Sequence, residues 1–313
     1  MSLPRRDVGL LAVFLLLLIT LSAASPWFLT ADNLQGLARH LAEIGLVACA
    51  MTFIIMAGGI DLSVGSLMAL CGVVFGLAWS VVGPWPAALL ALMTGIMGGT
   101  LNGLLISVGH LPPLVVTLAT MALFRGVALG ISQGQPVSAL PTGFDWLGQG
   151  MVGGIPVQFC IWLAVLSCSV LTARRLSWGR WVRAIGDNER AARFAALPVV
   201  RVQTLLYILT GLSSAVAALI FTARVSTAKA DAGMGFELEV ITAVVLGGTP
   251  ITGGRGSLWG TFLGVLLLGT LRNGLTLLGV SSVWQAMLAG VVLVATAILN
   301  QRLSGDSREI TAT

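Results

Sequence analysis

The chain has 313 residues, with 17 Lys or Arg and 12 Asp or Glu, so 9% are charged where a soluble domain carries about 25%. Hydrophobic residues make up 57% and mean hydropathy is +0.97. So few charges cannot cover a water-soluble globule, which excludes a soluble enzyme, a disordered chain and a secreted disulfide scaffold. The long unbroken apolar runs also exclude a transmembrane β-barrel. An all-α, polytopic helical membrane protein remains.

A spanning helix needs about 20 apolar residues. In chain order the spans are predicted at 8–25, 41–58, 64–82, 86–107, 113–131, 157–173, 203–223, 238–250, 257–277 and 283–300. The first follows Arg5 and Arg6, as a signal peptide would, but its apolar stretch from Val8 to Ala24 outruns the usual run of about 7–15 residues. Pro26 would also sit awkwardly after a cut at Ala24-Ser25, so the segment reads as a retained anchor. The eighth span is short and ends in Gly247-Gly248-Thr249-Pro250, which reads as a half-span. Gly253 to Gly256 read as a tight turn between spans rather than a phosphate nest.

Charge sets the orientation. With the N-terminus in the cytoplasm and ten alternating spans, the inside loops hold Arg5, Arg6, Arg174, Arg175, Arg180, Arg183, Arg190, Arg193, Arg201, Arg255, Arg302 and Arg308. The outside holds Arg39, Arg224 and Lys229, while Arg125 and Arg272 fall within spans. This asymmetry supports a cytoplasmic N-terminus and an even span count, which puts both termini inside. The net charge of +5 therefore reports topology, not a nucleic-acid partner.

Lys229 is the sole lysine and lies between Ala228 and Ala230, so no GxxxxGK[ST] phosphate loop can be written and the chain has no P-loop of its own. Cys49, Cys71, Cys160 and Cys168 lack metal-ligand or CxxC spacing and read as buried small hydrophobes. His40 and His110 are far apart. No catalytic, metal or cofactor constellation is visible. Gly95, Gly99 and Gly103, and again Gly256, Gly260 and Gly264, recur every four residues. Each set makes a smooth stripe on one helix face, serving either close packing or a moving interface.

The stretch 174–201 is the one long charged connection, and a loop of this length with a helix signal of its own usually has a task. Asp187 or Asn188 can cap a helix, Glu189 suits its first turn, and Pro198 stops it. Ala191, Ala192 and Ala195 form its expected exposed face, beside Arg190 and Arg193. Two readings stay open: a docking face for another protein, or a basic interfacial helix on phospholipid headgroups, with Trp178 and Trp181 at the interface.

Charges near the midplane need partners. Asp61 follows Gly58-Gly59 and precedes Ser63, marking a helix interruption; Arg125 lies well inside its span. Either the two pair, or Asp61 caps the next helix while Arg125 meets backbone carbonyls. A route for a neutral solute needs neutral hydrogen-bonding groups, and Thr52, Asn102, Thr117, Thr120, Asn273 and Gln285 are available. Each can equally serve as a helix–helix hydrogen bond.

The segment AIGDNERAARFAALPV resembles the coupling segment of bacterial sugar ABC-importer permeases of the ribose, xylose, galactose, rhamnose and autoinducer-2 type. Gly58 to Gly65 (GGIDLSVG), Asn102-Gly103 in TLNGLLI, VTLATMALFRG ending at Gly126, Glu239 to Gly256 and Gly279 to Gln285 (GVSSVWQ) extend the likeness along most of the chain. Asp187 stands where a second glycine is frequent, and Ala196 where a glycine is usual. The resemblance implies one permease domain over 1–313 in the bacterial inner membrane, working as a homo- or heterodimer. It also implies a cytoplasmic ABC ATPase, a periplasmic sugar-binding protein and no cofactor. Coupling then falls to Gly186, Asp187, Asn188, Glu189, Ala191, Ala192 and Arg193. The pathway falls to Asn102, Thr117, Thr120, Asn273 and Gln285, and a structural or gating role to Asp61, Ser63 and Arg125. The acidic outer loop with Asp231, Glu237 and Glu239 is either a contact for the binding protein or a solvated loop. The alternatives are a permease for branched-chain amino acids or nucleosides, an ion-coupled carrier, an intramembrane enzyme and a passive channel. The ion-coupled carrier would need a buried relay, for which Asp61 alone is a candidate.

Overall fold

The computed structural model describes residues 5–138 and 144–309. Its long helices are α1 (Arg5–Ala24), α2 (Ala31–Met56), α3 (Val64–Val82), α4 (Pro84–Ser107) and α5 (Pro113–Ser132). Then come β1 (Val137–Ser138), α6 (Asp145–Gln149), the hairpin β2 (Met151–Val152) and β3 (Ile155–Pro156), and α7 (Val157–Arg175). Next are α8 (Ser177–Asp187), α9 (Glu189–Phe194), α10 (Val199–Val225), β4 (Thr227–Ala228), α11 (Phe236–Leu246), α12 (Leu258–Leu277) and α13 (Ser282–Glu309). Among the described residues eight helices are long and apolar enough to cross a membrane: α1 to α5, α7, α10 and α12. With α11 and α13 they follow the ten expected segments in order. The extreme termini, placed inside by the charge count, lie outside the described residues.

Two boundaries differ from expectation. Helix α2 starts at Ala31 rather than 41, because its first ten residues, though polar, continue the helix past the apolar stretch. The eighth segment is an 11-residue helix, about 16 Å long, and therefore a half-span. Its end at Gly247-Gly248 uses a φ of +99° at Gly248, a conformation that favours glycine.

The bundle has two ends. Helix α7 runs about 28 Å from the β2–β3 hairpin to α8. Helix α10 returns from α9 to β4, which pairs antiparallel with β1 (Val137 with Ala228). The two-residue strands thus tie loops at one end, and α8 and α9 form the other.

Glycine sets the closest contacts. Helices α4 and α10 meet backbone to backbone: a Cβ on Gly95 would strike the Gly211 carbonyl, one on Gly99 the Tyr207 carbonyl, and one on Gly103 would lie 2.9 Å from Thr204 Cα. A second stripe lets α12 onto α11, with Gly260 against the Gly247 carbonyl and Gly264 against that of Ala243. Lipid offers no hydrophobic drive between helices, so such close packing is what holds them. Trp162 fills the space opposite Gly45 and packs on Phe159 and Phe262. Cys49 and Cys71 are buried as expected, but Cys160 is half-buried and Cys168 exposed. Their apolar helix, α7, turns only one face to its neighbours, so the period of the helix carries Cys168 outward.

Candidate functional site

Two non-helical segments enter the bundle from opposite ends. Residues 57–63 leave α2 beside α8: the Gly254 N–H donates to the Met56 carbonyl at 2.9 Å, and Gly253 abuts Gly58. Residues 226–235 run along α3 from the other end, from Gly76, which packs on Ala228, to Gly65, which packs on Gly233 and the Glu237 carboxylate. Gly76 and Gly65 are about 16 Å apart along the helix. The two breaks therefore meet where α3 and α11 begin. Irregular backbone at that depth is tolerated because protein surrounds it.

The first break is held by its own side chains. Asp61 is 1% exposed, and its Oδ1 accepts from the Ser63 N–H at 2.9 Å and the Ser63 hydroxyl at 2.6 Å. This is an aspartate turn ahead of a helix. Asn102 Nδ2 donates to Ser63 Oγ at 2.8 Å. The Thr117 hydroxyl lies 2.9 Å from the Pro113 carbonyl and 3.3 Å from that of Ile60. Asp61 and Ser63 of the break, Asn102 of α4 and Thr117 of α5 are thus gathered ahead of α3. Thr120 turns back to the Val116 carbonyl at 3.0 Å within its own helix. Asp61 Oδ2 and Asn102 Oδ1 are buried without a hydrogen-bond partner among the described residues.

Arg125 does not pair with Asp61. Its Nη1 donates to the carbonyls of Ala230, and of Ala232 at 2.8 Å, pinning the second break. The reason is distance along α5: Thr117 faces the first break, and Arg125 lies eight residues, about 12 Å, further on. Of the alternative arrangement, the carbonyl contacts of Arg125 are adopted, but Asp61 closes a turn onto Ser63, the residue before α3, and caps no amide of that helix.

A second polar group lies between α11, α12 and α13. Gln285 donates to Thr276 Oγ1 at 3.1 Å and the Val280 carbonyl at 2.8 Å. Arg272 forms an ion pair with Glu239. Gln285, Arg272, Glu239 and Thr242 line a largely apolar cavity of about 300 Å³. Asn273 is not part of it: it exchanges amide hydrogen bonds of 2.8 and 3.0 Å with Asn33 of α2. Thr52 bonds Thr261 at 2.8 Å, again joining two helices. The acidic loop residues are only partly solvated, since Glu239 is paired and Glu237 packs on Gly65.

The charged loop folds as two helices rather than one. Asn188, not Asp187, caps α9, its Oδ1 accepting from the Ala191 N–H at 3.0 Å; Asp187 ends α8. Glu189 binds Arg193 at 2.8 Å and accepts from Gln203 at 3.2 Å, which fastens α9 to α10. A Cβ on Gly186 would strike the Met56 carbonyl, so α8 sits hard on the end of α2. Ala192 was expected on the exposed face but is 4% exposed. A helix this short has one packed face, and Ala192 is on it. Arg190, Ala191, Arg193 and Ala195 remain exposed, and Phe194 is 93% exposed.

Sequence reasoning missed four features. Glu43 accepts from Arg224 at 2.7 and 3.0 Å with His40 at 3.8 Å. The Arg272–Glu239 pair and Phe194 were also missed. The fourth is Tyr207, the sole tyrosine, whose buried hydroxyl has no hydrogen-bond partner among the described residues. The signal for the ion pairs was a charge inside an apolar run, which requires a partner.

A family model described as branched-chain amino acid transport system / permease component matches residues 33–297. The chain is 43% identical over 297 residues to the ribose import permease protein RbsC of Bacillus subtilis (strain 168), covering 94% of this chain and 92% of the relative. It is 37% identical to the RbsC of Escherichia coli (strain K12), covering 93% and 92%. It is 36% identical to the L-arabinose transport system permease protein AraH of the same strain, covering 94% and 90%. No solved structure matches.

Proposed function

Because the chain belongs to the family of branched-chain amino acid transport system permease components, we propose that it is the membrane-spanning subunit of an ATP-driven importer whose cargo is a monosaccharide or similar small polyol. The observation that carries this reading is the 43% identity to a ribose import permease along nearly the whole chain. The family description names branched-chain amino acids, but the relatives are named for ribose and arabinose.

Residues 1–313 form one permease domain of a multi-pass inner-membrane protein, with the 174–201 loop in the cytoplasm. ATP is hydrolysed on a separate cytoplasmic ABC ATPase. A periplasmic binding protein delivers the sugar, and a second permease subunit completes the pathway. Helix α9 is the foothold for the ATPase. Its attachment to α10 through Glu189 and Gln203 supports this role, as does Phe194, a bare aromatic anchor of the kind that dominates interfaces. Motion received there passes through Gly186 to the end of α2 and so to the first break, where Asp61, Ser63 and Asn102 hold α3. The neutral hydrogen-bonding groups Ser63, Asn102 and Thr117 at that break, and Gln285, suit a solute that must bind weakly and leave.

The gene, expressed with its own ATPase in a strain lacking its ribose permease, is expected to restore D-ribose uptake. Restoration of leucine uptake and not of ribose uptake would overturn the assignment.

A further inference from the structure

Beneath α9 lies a cavity of about 310 Å³, separate from the one at Gln285. Its walls include Gly58 and Gly59 of the first break, His110 of the α4–α5 turn, Glu189 of α9, and Gln203 and Tyr207 of α10. Tyr207 is 3% exposed, yet its hydroxyl has no hydrogen-bond partner among the described residues. That hydroxyl stands over Gly59, where a Cβ would lie 2.7 Å from it; glycine keeps the approach to it open. His110 takes a φ of +54°, a left-handed conformation in which residues other than glycine are uncommon and which clusters at functional sites.

The chemistry of the walls is mixed and nearly neutral. A phenol, an amide, an imidazole and a carboxylate provide donors and acceptors in a small volume, and a cavity of this size is at the lower end for small-molecule sites. An anion would meet Glu189, and a hydrocarbon would leave the Tyr207 hydroxyl buried and unpaired. A hydroxyl pairs with Tyr207, and a vicinal one can share the carboxylate of Glu189, which also holds Arg193 and Gln203.

We propose that this cavity is a binding site for a small, neutral, polyhydroxylated solute taken up from the α9 end, an inference that rests on the sugar-permease reading. Glu189 belongs to α9 and Gly58 and Gly59 to the break, so an occupant bridges the two elements. Solute accumulated on that side then restrains α9 and slows the transport cycle.

The test is equilibrium dialysis of radiolabelled D-ribose against the full chain in lipid nanodiscs. Saturable binding is expected, weakened at least tenfold by Tyr207→Phe and by Gln203→Leu. Tyr207→Phe keeps the ring and should unfold at the wild-type temperature, which separates a lost contact from a lost fold. Binding that ignores both changes, or that follows Gln285→Leu instead, overturns the site. Absence of any retained ribose while the gene still restores ribose uptake in cells overturns the site and leaves the permease reading standing. Loss of that uptake overturns the reading itself.

Discussion

Ala196 holds a φ of +57° just past α9, at a position where sugar-importer permeases of this type usually carry glycine. An alanine there pays a steric cost of about 1 kcal/mol that glycine does not. Ala196→Gly is therefore expected to slow hydrogen exchange of the amides at 195–197 by about fivefold; unchanged exchange would mean that the strain is relieved elsewhere. Asn188→Ala removes the cap of the same helix and should cost about 1 kcal/mol, read as faster exchange at the Ala191 amide. Phe194→Ser should leave the thermal unfolding of the chain unchanged while abolishing its capture of the ATPase, because the ring touches solvent and little else. The cap was legible because capping is local chemistry. The burial of Ala192 was not, since which side of a six-residue helix packs depends on α10, which is distant in the chain. The Asp61–Arg125 question was open in sequence for a related reason. Each charge needed a partner, but the choice turned on a separation of two helical turns along α5.

At the scale of elements, the contact between α4 and α10 depends on glycines that let one backbone reach the other. Gly99→Val adds atoms where a Cβ alone would strike the Tyr207 carbonyl, and overpacking of this kind costs about 1–3 kcal/mol. A lowered unfolding temperature in detergent is expected, whereas Leu101→Ala on the outward face of α4 should change it little. The Glu43–Arg224 pair links α2 to α10 with Glu43 almost wholly buried. Glu43→Gln leaves a guanidinium without its carboxylate, at a cost of about 2–3 kcal/mol, somewhat below the usual figure because Arg224 is partly exposed. The double change Glu43→Gln with Arg224→Gln should recover part of that loss. If it recovers nothing, the pair is not the link between these helices. The glycine stripes were readable from their spacing, but the faces they met were not, since a stripe does not name its partner. The half-length of α11 was readable too, from the Gly247-Gly248-Thr249-Pro250 stop. The dip of residues 226–235 beside α3 was not, because nothing in that short polar stretch distinguishes a descending segment from a surface loop.

At the scale of the whole molecule, a passage without a motor should be inert alone. The purified chain in sealed vesicles is expected neither to hydrolyse ATP nor to accumulate D-ribose against a gradient, and uphill accumulation would sink the importer reading. What the sequence determined by itself was everything that depends on composition and local pattern. It set an α-helical membrane protein with ten segments in order, one half-span, no phosphate loop and a charged connector with helix signals. Lipid imposes these constraints residue by residue, because each unpaired charge or backbone group carries its own cost there. The tertiary structure alone decided which groups meet. It brought the two breaks together at the starts of α3 and α11, chose carbonyls for Arg125 and placed Tyr207 over Gly59. Those outcomes rest on close approach between segments up to about 170 residues apart, and no local preference encodes which distant surface will be there to receive them.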